Sequence, residues 1–457
     1  MMKNFTFKKG IHPPDSKMST NNKSIQIITP PIGCEMIYPL LQHIGVACET
    51  TVEKGERVLL GQKIADSPAF LSAPIHSSVS GIVKEFRNVL TASGDFCLAV
   101  VIENDGLDEQ AEELPMQEQN TNESDKDSQY TKEEYLKIIR EAGIVGLGGA
   151  GFPTHAKLNP PSEKKIDYIL VNAAECEPYL TTDHRILLEK PEQVIGGLEI
   201  ILSIHTTAKG IIAIEENKAN AIKLLTESTK NISNIEVISL VTKYPQGSEK
   251  QLIQACTNRI VPSNSLPSDV GCIVNNVHTV SSIYEAFHHK KPLVQKIMTI
   301  SGDSIQHCGN YEVRIGMNLS LLLDIIGGLK EHNTTKASTT KEFIIAGGPM
   351  MGTAMFTLDI PLTKTTSSIL AFTKDSSEML EEQNCIRCGK CVKHCPISLM
   401  PLELDKNAIQ QAFILFKKNG GLDCIECGSC SYVCPAKRHL TQSIRSAKKR
   451  LKGEISK

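Results

Sequence analysis

Eight cysteines toward the C-terminal end of the chain are spaced to hold metal. Cys385, Cys388, Cys391 and Cys395, followed by Pro396, recur as Cys424, Cys427, Cys430 and Cys434, followed by Pro435. Both copies read C-x₂-C-x₂-C-x₃-C-P, a spacing whose thiolates hold a [4Fe–4S] cluster. Two-residue gaps let a tight turn aim three thiolates at three corners of a cube, and the proline helps end the loop by fixing φ. Zinc sites and disulfides use the same residue type. A structural zinc needs four ligands, which two CxxC pairs would supply, so the extra cysteine and terminal Cys-Pro of each copy would be unexplained. Disulfides need an oxidising compartment, and no signal-peptide pattern opens the sequence. The expectation is two clusters passing single electrons, with the upstream residues feeding or draining them.

A second chemical signal is the loop Gly146-Leu-Gly148-Gly149-Ala150-Gly151-Phe152-Pro153-Thr154. It contains a formal GxGxxG, yet it follows a helical pattern instead of a strand, and Pro153, Pro160 and Pro161 forbid the long helix of a dinucleotide fold. The backbone chemistry survives: residues without side chains admit close approach of a planar ring or a phosphate, with N–H groups free to bind anions. A glycine-rich packing turn is the competing reading.

Several elements must position these groups. With 457 residues there is room for about three domains. The net charge of −2 argues against nucleic acid as a partner, and no apolar run reaches the roughly 18–20 residues of a membrane-spanning helix. Residues 1–104 alternate apolar and polar positions between Gly and Pro punctuation, as short strands do. They resemble the barrel-sandwich of biotinyl and lipoyl carriers, but Ser67-Pro-Ala-Phe-Leu-Ser offers no lysine for a prosthetic arm, so a packing or docking module is expected, with His76 structural. Residues 105–129 are acidic and poor in large apolar side chains, as a flexible linker would be. Residues 130–290 open with a helix from N-cap Thr131 to about Ala142, with Glu134 completing a capping box. Strands at 166–171, 211–215 and 236–241, an apolar segment at 272–277, and helices at 191–205 and from Lys218 predict an α/β layer with a largely parallel sheet. Residues 291–375 read as a β-rich module with a helix at 319–326 and a glycine turn at Gly347, Gly348 and Gly352, a candidate second cofactor loop, with a bridging role between the preceding domain and the cysteine runs as the favoured reading. A cluster domain spans 376–442, and 443–457 form a basic tail, read as a solvated helix ahead of a lipid contact.

Taken in order, the motifs resemble known families. The paired cysteine runs resemble the bacterial ferredoxins with two clusters. That resemblance implies that Cys385, Cys388, Cys391 and Cys434 share one cluster, and Cys424, Cys427, Cys430 and Cys395 the other. Gly-Gly-Ala-Gly-Phe-Pro-Thr, Asn172-Ala-Ala-Glu175-Cys-Glu177-Pro, Tyr244-Pro-Gln-Gly247-Ser-Glu249 and Val274-Asn275-Asn276-Val-His-Thr279 resemble the flavin- and NADH-binding subunit of respiratory NADH dehydrogenase. The resemblance implies that Gly148, Gly149, Ala150, Gly151, Asn172, Gly247, Glu249, Asn275, Asn276 and Thr279 contact FMN. It places Phe152, Lys157, Glu175 and Glu177 at the flavin and nicotinamide cavity, shaping it without acid–base work. The sequence departs from that family at Ala174, where an acid is usual, at Tyr179, where glycine is, and at Leu147, where a basic residue is. The module at 291–375 resembles the soluble-ligand-binding β-grasp domain of the same subunit.

The whole order, from Phe7-Lys-Lys-Gly-Ile-His-Pro-Pro onward, resembles the RnfC family, one of the subunits of the Rnf electron-transport complex. The resemblance implies a multidomain α+β protein, peripheral on the cytoplasmic face of a bacterial membrane. Its partners would be NAD(H), the other Rnf subunits and, indirectly, ferredoxin. Electron counting agrees: nicotinamide exchanges two electrons, each cluster one, and FMN converts between them. The competing readings are a soluble NADH-dependent reductase serving a dedicated acceptor, and a relay subunit that holds clusters without nicotinamide chemistry. The order of the two clusters in the electron path is left open.

Overall fold

The computed structural model describes residues 5–92, 94–114, 130–330, 343–373 and 381–455. At its centre lies a sheet of four parallel strands in the order Ile235–Leu240, Lys209–Glu215, Tyr168–Ala173 and Cys272–Asn276. Their sequences are near-continuous apolar runs because helices cover both faces. Ile169 and Val171 point into one core with Val194, Leu198 and Ile201 of the helix Pro191–Ile204, while Leu170 points into the other with Leu252 and Ile253 of the helix Glu249–Thr257. Gly197 lets the helix Pro191–Ile204 pass close to the helix Val277–His288, since a Cβ there would sit 2.1 Å from the Val280 carbonyl oxygen. The first strand starts at Tyr168 instead of 166, and this brings Asn172 and Ala173 to its carboxyl end, where parallel sheets bind ligands.

The helix Lys132–Glu141 begins as expected. Glu134 Oε2 accepts from the Thr131 N–H at 2.6 Å, and Thr131 Oγ1 accepts from the Glu134 N–H at 3.3 Å. It leads into the glycine loop, after which only the four-residue helix Thr154–Lys157 forms before Pro160.

The N-terminal module is two small antiparallel sheets, dominated by the hairpin Gly81–Leu90 and Phe96–Asn104, longer than the short strands expected. Residues 5–28 also reach the other modules. Phe5 bridges to Leu240, Ile11 to Tyr244, and Ile25–Ile27 become the edge strand of a six-stranded sheet by pairing in parallel with Gly309–Arg314. That sheet belongs to the third module and contains Gln295–Ser301, Phe343–Ala346, Thr353–Met355 and Ser368–Phe372. A strand laid along its edge satisfies backbone groups that would otherwise be open.

Two composition-based expectations change. Residues 105–114 are docked and not free: Asp105 and Glu109 pair with Arg57, Asp108 with Arg314 and Glu113 with Lys290. Their acidic content is spent on cations of neighbouring modules, a use that composition alone does not reveal; 115–129 lie outside the described residues. The basic tail is part of the helix Leu440–Ile455, whose Ile444, Ala447 and Leu451 pack with Leu404 and Phe416 in the core of the cluster domain. Among the described residues, no helix is long and apolar enough to cross a membrane.

Candidate functional site

The glycine loop, the carboxyl end of the parallel sheet, the β-grasp module and the cluster domain meet around one cavity of about 530 Å³. Of the residues expected there, Gly148, Gly149, Ala150, Asn172, Glu175, Glu177, Gly247, Glu249 and Asn276 line it. Asn172 Nδ2 donates to the Gly247 carbonyl at 2.7 Å, tying two of the motifs together. Asn276 caps the helix Val277–His288 by accepting from the His278 N–H at 2.9 Å, and its Nδ2 donates to Asp183 Oδ2 at 2.8 Å. A Cβ on Gly148 would meet the Asn276 amide at 2.7 Å, so only glycine fits; around Gly149 nothing lies within 4 Å.

Gly151, Phe152, Lys157, Asn275 and Thr279 are not on the cavity wall, and four of them support it from behind. Thr279 Oγ1 accepts from the Leu147 N–H at 3.0 Å, and Lys157 Nζ donates to Glu249 Oε1 at 2.8 Å and to the Val274 carbonyl at 2.6 Å. Gly151 turns the loop at φ +69°, and the Phe152 carbonyl accepts from the Gly146 N–H. Asn275 is buried, its Nδ2 without a hydrogen-bond partner among the described residues. Tyr179 keeps the glycine-like backbone at φ +70°, a strain of about 1–2 kcal/mol. Its N–H donates to the Asp15 carbonyl, and its ring packs edge-on against Phe372 at 5.1 Å.

The acidic loop is held from three sides. Lys17, fully buried, donates to the carbonyls of Glu175 at 2.7 Å and Glu177 at 3.1 Å, and its ammonium lies 3.8 Å from Glu175 Oε2. Glu175 Oε1 accepts from the Asp183 N–H at 2.8 Å. Glu177 accepts from the Met350 and Met351 N–H groups at 3.1 and 2.9 Å, so the Gly347–Gly352 turn of the β-grasp module closes over it and lines the same cavity. Burial pushes the Glu177 carboxyl up to about 7, against the pull of those two N–H donors.

Two groups that the motifs do not flag also face the cavity. Burial raises the Asp183 carboxyl, and the negative charge of Glu175 raises it further. Lys296, from the first long strand of the β-grasp sheet, donates to the Lys364 carbonyl at 2.8 Å and reaches the Leu147 carbonyl at 3.4 Å. Burial brings its ammonium down to about 7, with Asp183 pulling the other way. No local pattern could have found Lys296, because the contact is made across modules.

The cysteines gather in two quartets. Cys385, Cys388, Cys391 and Cys434 line one small void, and Cys395, Cys424, Cys427 and Cys430 a second. Among the described residues, no three metal-ligating side chains converge closely enough for a single ion. The duplication extends to the backbone: Arg387 and Glu426 both adopt left-handed conformations, φ +54° and +55°, which turn their N–H groups onto Cys385 Sγ and Cys424 Sγ at 3.4 Å. The second quartet is deeper. Burial pushes the Cys424 thiol up to about 11 and the Cys430 thiol up to about 12, whereas Cys385 and Cys388 are exposed. Ile425 and Cys427 also line the large cavity, and Tyr244 Oη donates to the Cys427 carbonyl at 2.7 Å, so the second quartet abuts that cavity directly.

Comparison with known proteins agrees with this arrangement. Residues 5–107 match the RnfC barrel sandwich hybrid domain, 139–285 the Nuo51 FMN-binding domain and 378–435 the 4Fe-4S dicluster domain. The chain is 44% identical to the C subunit of the Na(+)-translocating ferredoxin:NAD(+) oxidoreductase complex of Acetobacterium woodii, over 98% of each chain. It is 44% identical to the proton-translocating counterpart of Clostridium ljungdahlii, over 97% of this chain and 93% of that one. It is 36% identical to the C subunit of the ion-translocating oxidoreductase complex of Haemophilus influenzae strain PittEE, over 87% of this chain and 59% of that one. At this identity and coverage, the chain belongs to the RnfC family of subunits of the ion-translocating ferredoxin:NAD(+) oxidoreductase complexes.

Proposed function

We propose that this chain is the peripheral subunit that exchanges electrons between NAD(H) and the remainder of an ion-translocating Rnf complex, on the cytoplasmic face of the membrane. The carrying observation is the shared wall: the glycine loop and the Cys427 loop border one cavity. Its residues fit FMN, with a volume in the range of cofactor pockets, a glycine cradle that a side chain would fill, and the Asn172 and Asn276 amides on its wall. FMN bound there would supply the exchange between two-electron and one-electron chemistry. Gly148, Gly149 and Ala150 would admit its ring system, Asn172 and Asn276 would orient it, and the closed β-grasp turn would exclude water. Glu177, on the same wall, would shape the nicotinamide subsite. The two cysteine quartets would each hold one [4Fe–4S] cluster. The buried quartet, beside the cavity, would exchange electrons with the flavin, and the exposed quartet would serve the partner subunits.

The test is an anaerobic NADH titration of the reconstituted chain, followed by absorbance and low-temperature paramagnetic resonance. About one flavin and eight irons, with NADH bleaching the flavin, is the expected result. Flavin that is present but untouched by NADH would instead favour a relay subunit.

Glu177 gives this reading a pH signature. A carboxyl whose folded pKa is raised to about 7 contributes stability that is fully present below the unfolded value near 4.5 and is lost as pH rises through 7. Glu177→Gln is therefore expected to flatten the decline in melting temperature between about pH 4.5 and about pH 7. It should also remove an inflection near pH 7 from the apparent NADH affinity. Parallel profiles for the two proteins in both measurements would contradict the assignment.

A further inference from the structure

We propose that His278 is the relay through which the redox proton leaves and enters the flavin cavity, by way of a second, polar cavity behind it. The inference rests on the reading that FMN occupies the larger cavity. The need for a relay follows from stoichiometry. NADH gives up two electrons and one proton in becoming NAD⁺, whereas iron–sulfur clusters take electrons alone. Each NADH oxidised therefore leaves one proton behind in the flavin cavity, and each NAD⁺ reduced draws one in.

The second cavity, of about 250 Å³, lies between the helix Val277–His288, the β-grasp strands Gln295–Ser301 and Gly309–Arg314, and the docked segment 110–113. Two described residues, His278 and Ile297, line both cavities, and of these only the imidazole can carry a proton. His278 is 7% exposed, and neither of its ring nitrogens has a hydrogen-bond partner among the described residues. Buried polar groups are ordinarily satisfied, so this ring is left for what enters the cavities on either side. Burial holds it neutral, its pKa well below the ordinary range, and the cations Lys296 and Lys190 add to this. A neutral imidazole has one donor and one acceptor nitrogen, so it takes a proton on one side as it gives one on the other. The charged groups around it are Lys296 and Asp183 on the wall of the larger cavity, and Lys190, Glu285 and Glu312 on that of the second. Beyond the ring the wall is polar. Ser281 Oγ donates to Gln193 Oε1 at 2.6 Å, Gln193 Nε2 donates to Glu285 Oε1, and Lys190 pairs with Glu312 at 3.2 Å. A polar cavity of this size holds ordered water, which continues the path. Exposed Glu112, Glu113, His289, Lys290 and Lys291 form its outer wall, where the proton meets solvent.

The experiment uses the full chain with flavin and iron restored, oxidising NADH with ferricyanide as the one-electron acceptor. One NADH and two ferricyanides give NAD⁺, two ferrocyanides and one proton. His278→Ala is expected to lower kcat at least about 10-fold, with flavin content and the KM for NADH unchanged. Imidazole in the medium, small enough for the space the side chain leaves, should restore most of the rate. Thiazole, of similar shape and a far weaker base, should not. His278→Gln fills that space with an amide that cannot relay, and should stay slow with or without imidazole. Full turnover in both variants would overturn the relay and send the proton out through the mouth of the larger cavity. Lost flavin, a raised KM, or recovery of the rate in His278→Gln would mark His278 as structural and overturn it too. Wild-type flavin that NADH does not bleach would sink the FMN reading, and the relay with it.

Discussion

Cys395→Ser is expected to remove about half of the iron and to break electron delivery, while NADH still bleaches the flavin. The residue lies in the first cysteine run, yet it lines the void formed by Cys424, Cys427 and Cys430 of the second. Loss of its thiolate would leave three cysteines at the proposed cluster site beside the cavity, whereas the exposed quartet keeps all four. Reduction of the outer cluster by NADH should then fail although that cluster is present. Cys434→Ser gives the mirror result: the outer cluster is lost and the inner one remains reducible. Paramagnetic resonance with iron counting distinguishes the two, and a Cys395 variant that loses the outer signal instead would overturn the partition of ligands.

Gly149→Val should lower FMN affinity by about 10-fold to 100-fold, as expected for overpacking worth about 1–3 kcal/mol. The added side chain meets nothing of the protein within 4 Å of its Cβ and projects where the ligand is proposed to lie. Melting of the flavin-free protein should therefore be unchanged. Gly148→Ala is a different lesion: its Cβ at 2.7 Å from the Asn276 amide must displace the cap of the helix Val277–His288, so stability falls by about 1 kcal/mol even without flavin. Normal flavin content in the Gly149 variant would remove the glycine loop from the binding site.

Much of this was legible because it is local. The cysteine spacing carried the duplicated turn, Thr131 and Glu134 carried the helix entry, and the Pro content after the glycine loop carried the absence of a long helix. Three helices gave less, Val277–His288 showing only its Asn276 cap. Val277–His288 begins Val-His-Thr-Val-Ser-Ser-Ile, rich in β-branched and polar residues, and is held by burial against the helix Pro191–Ile204 instead of by propensity. Thr182–Glu189 and Glu249–Thr257 are short and start without side-chain caps. The motifs named most of the cavity wall. They missed Lys296, which meets Leu147 across 149 positions of the chain, since sequence periodicity holds no information on such encounters. They also passed over Asp183, which lies on the helix Thr182–Glu189 just beyond the Glu177 motif. The order of the quartets, open from spacing alone, rests on Ile425 and Cys427 reaching the cavity.

The segment of residues 5–28 acts as a lace. Within about two dozen positions it is tied to the cluster domain through the contact of the Gly10 N–H with the His394 carbonyl, and to the acidic loop through Lys17. It is tied to the β-grasp sheet through Ile25–Ile27. Lys9 and Val392 are separated by 383 positions in the chain. Closing a contact of that span costs chain entropy that local contacts do not. The pocket and its neighbouring quartet are therefore fastened by ties that a break in this one segment would loosen together.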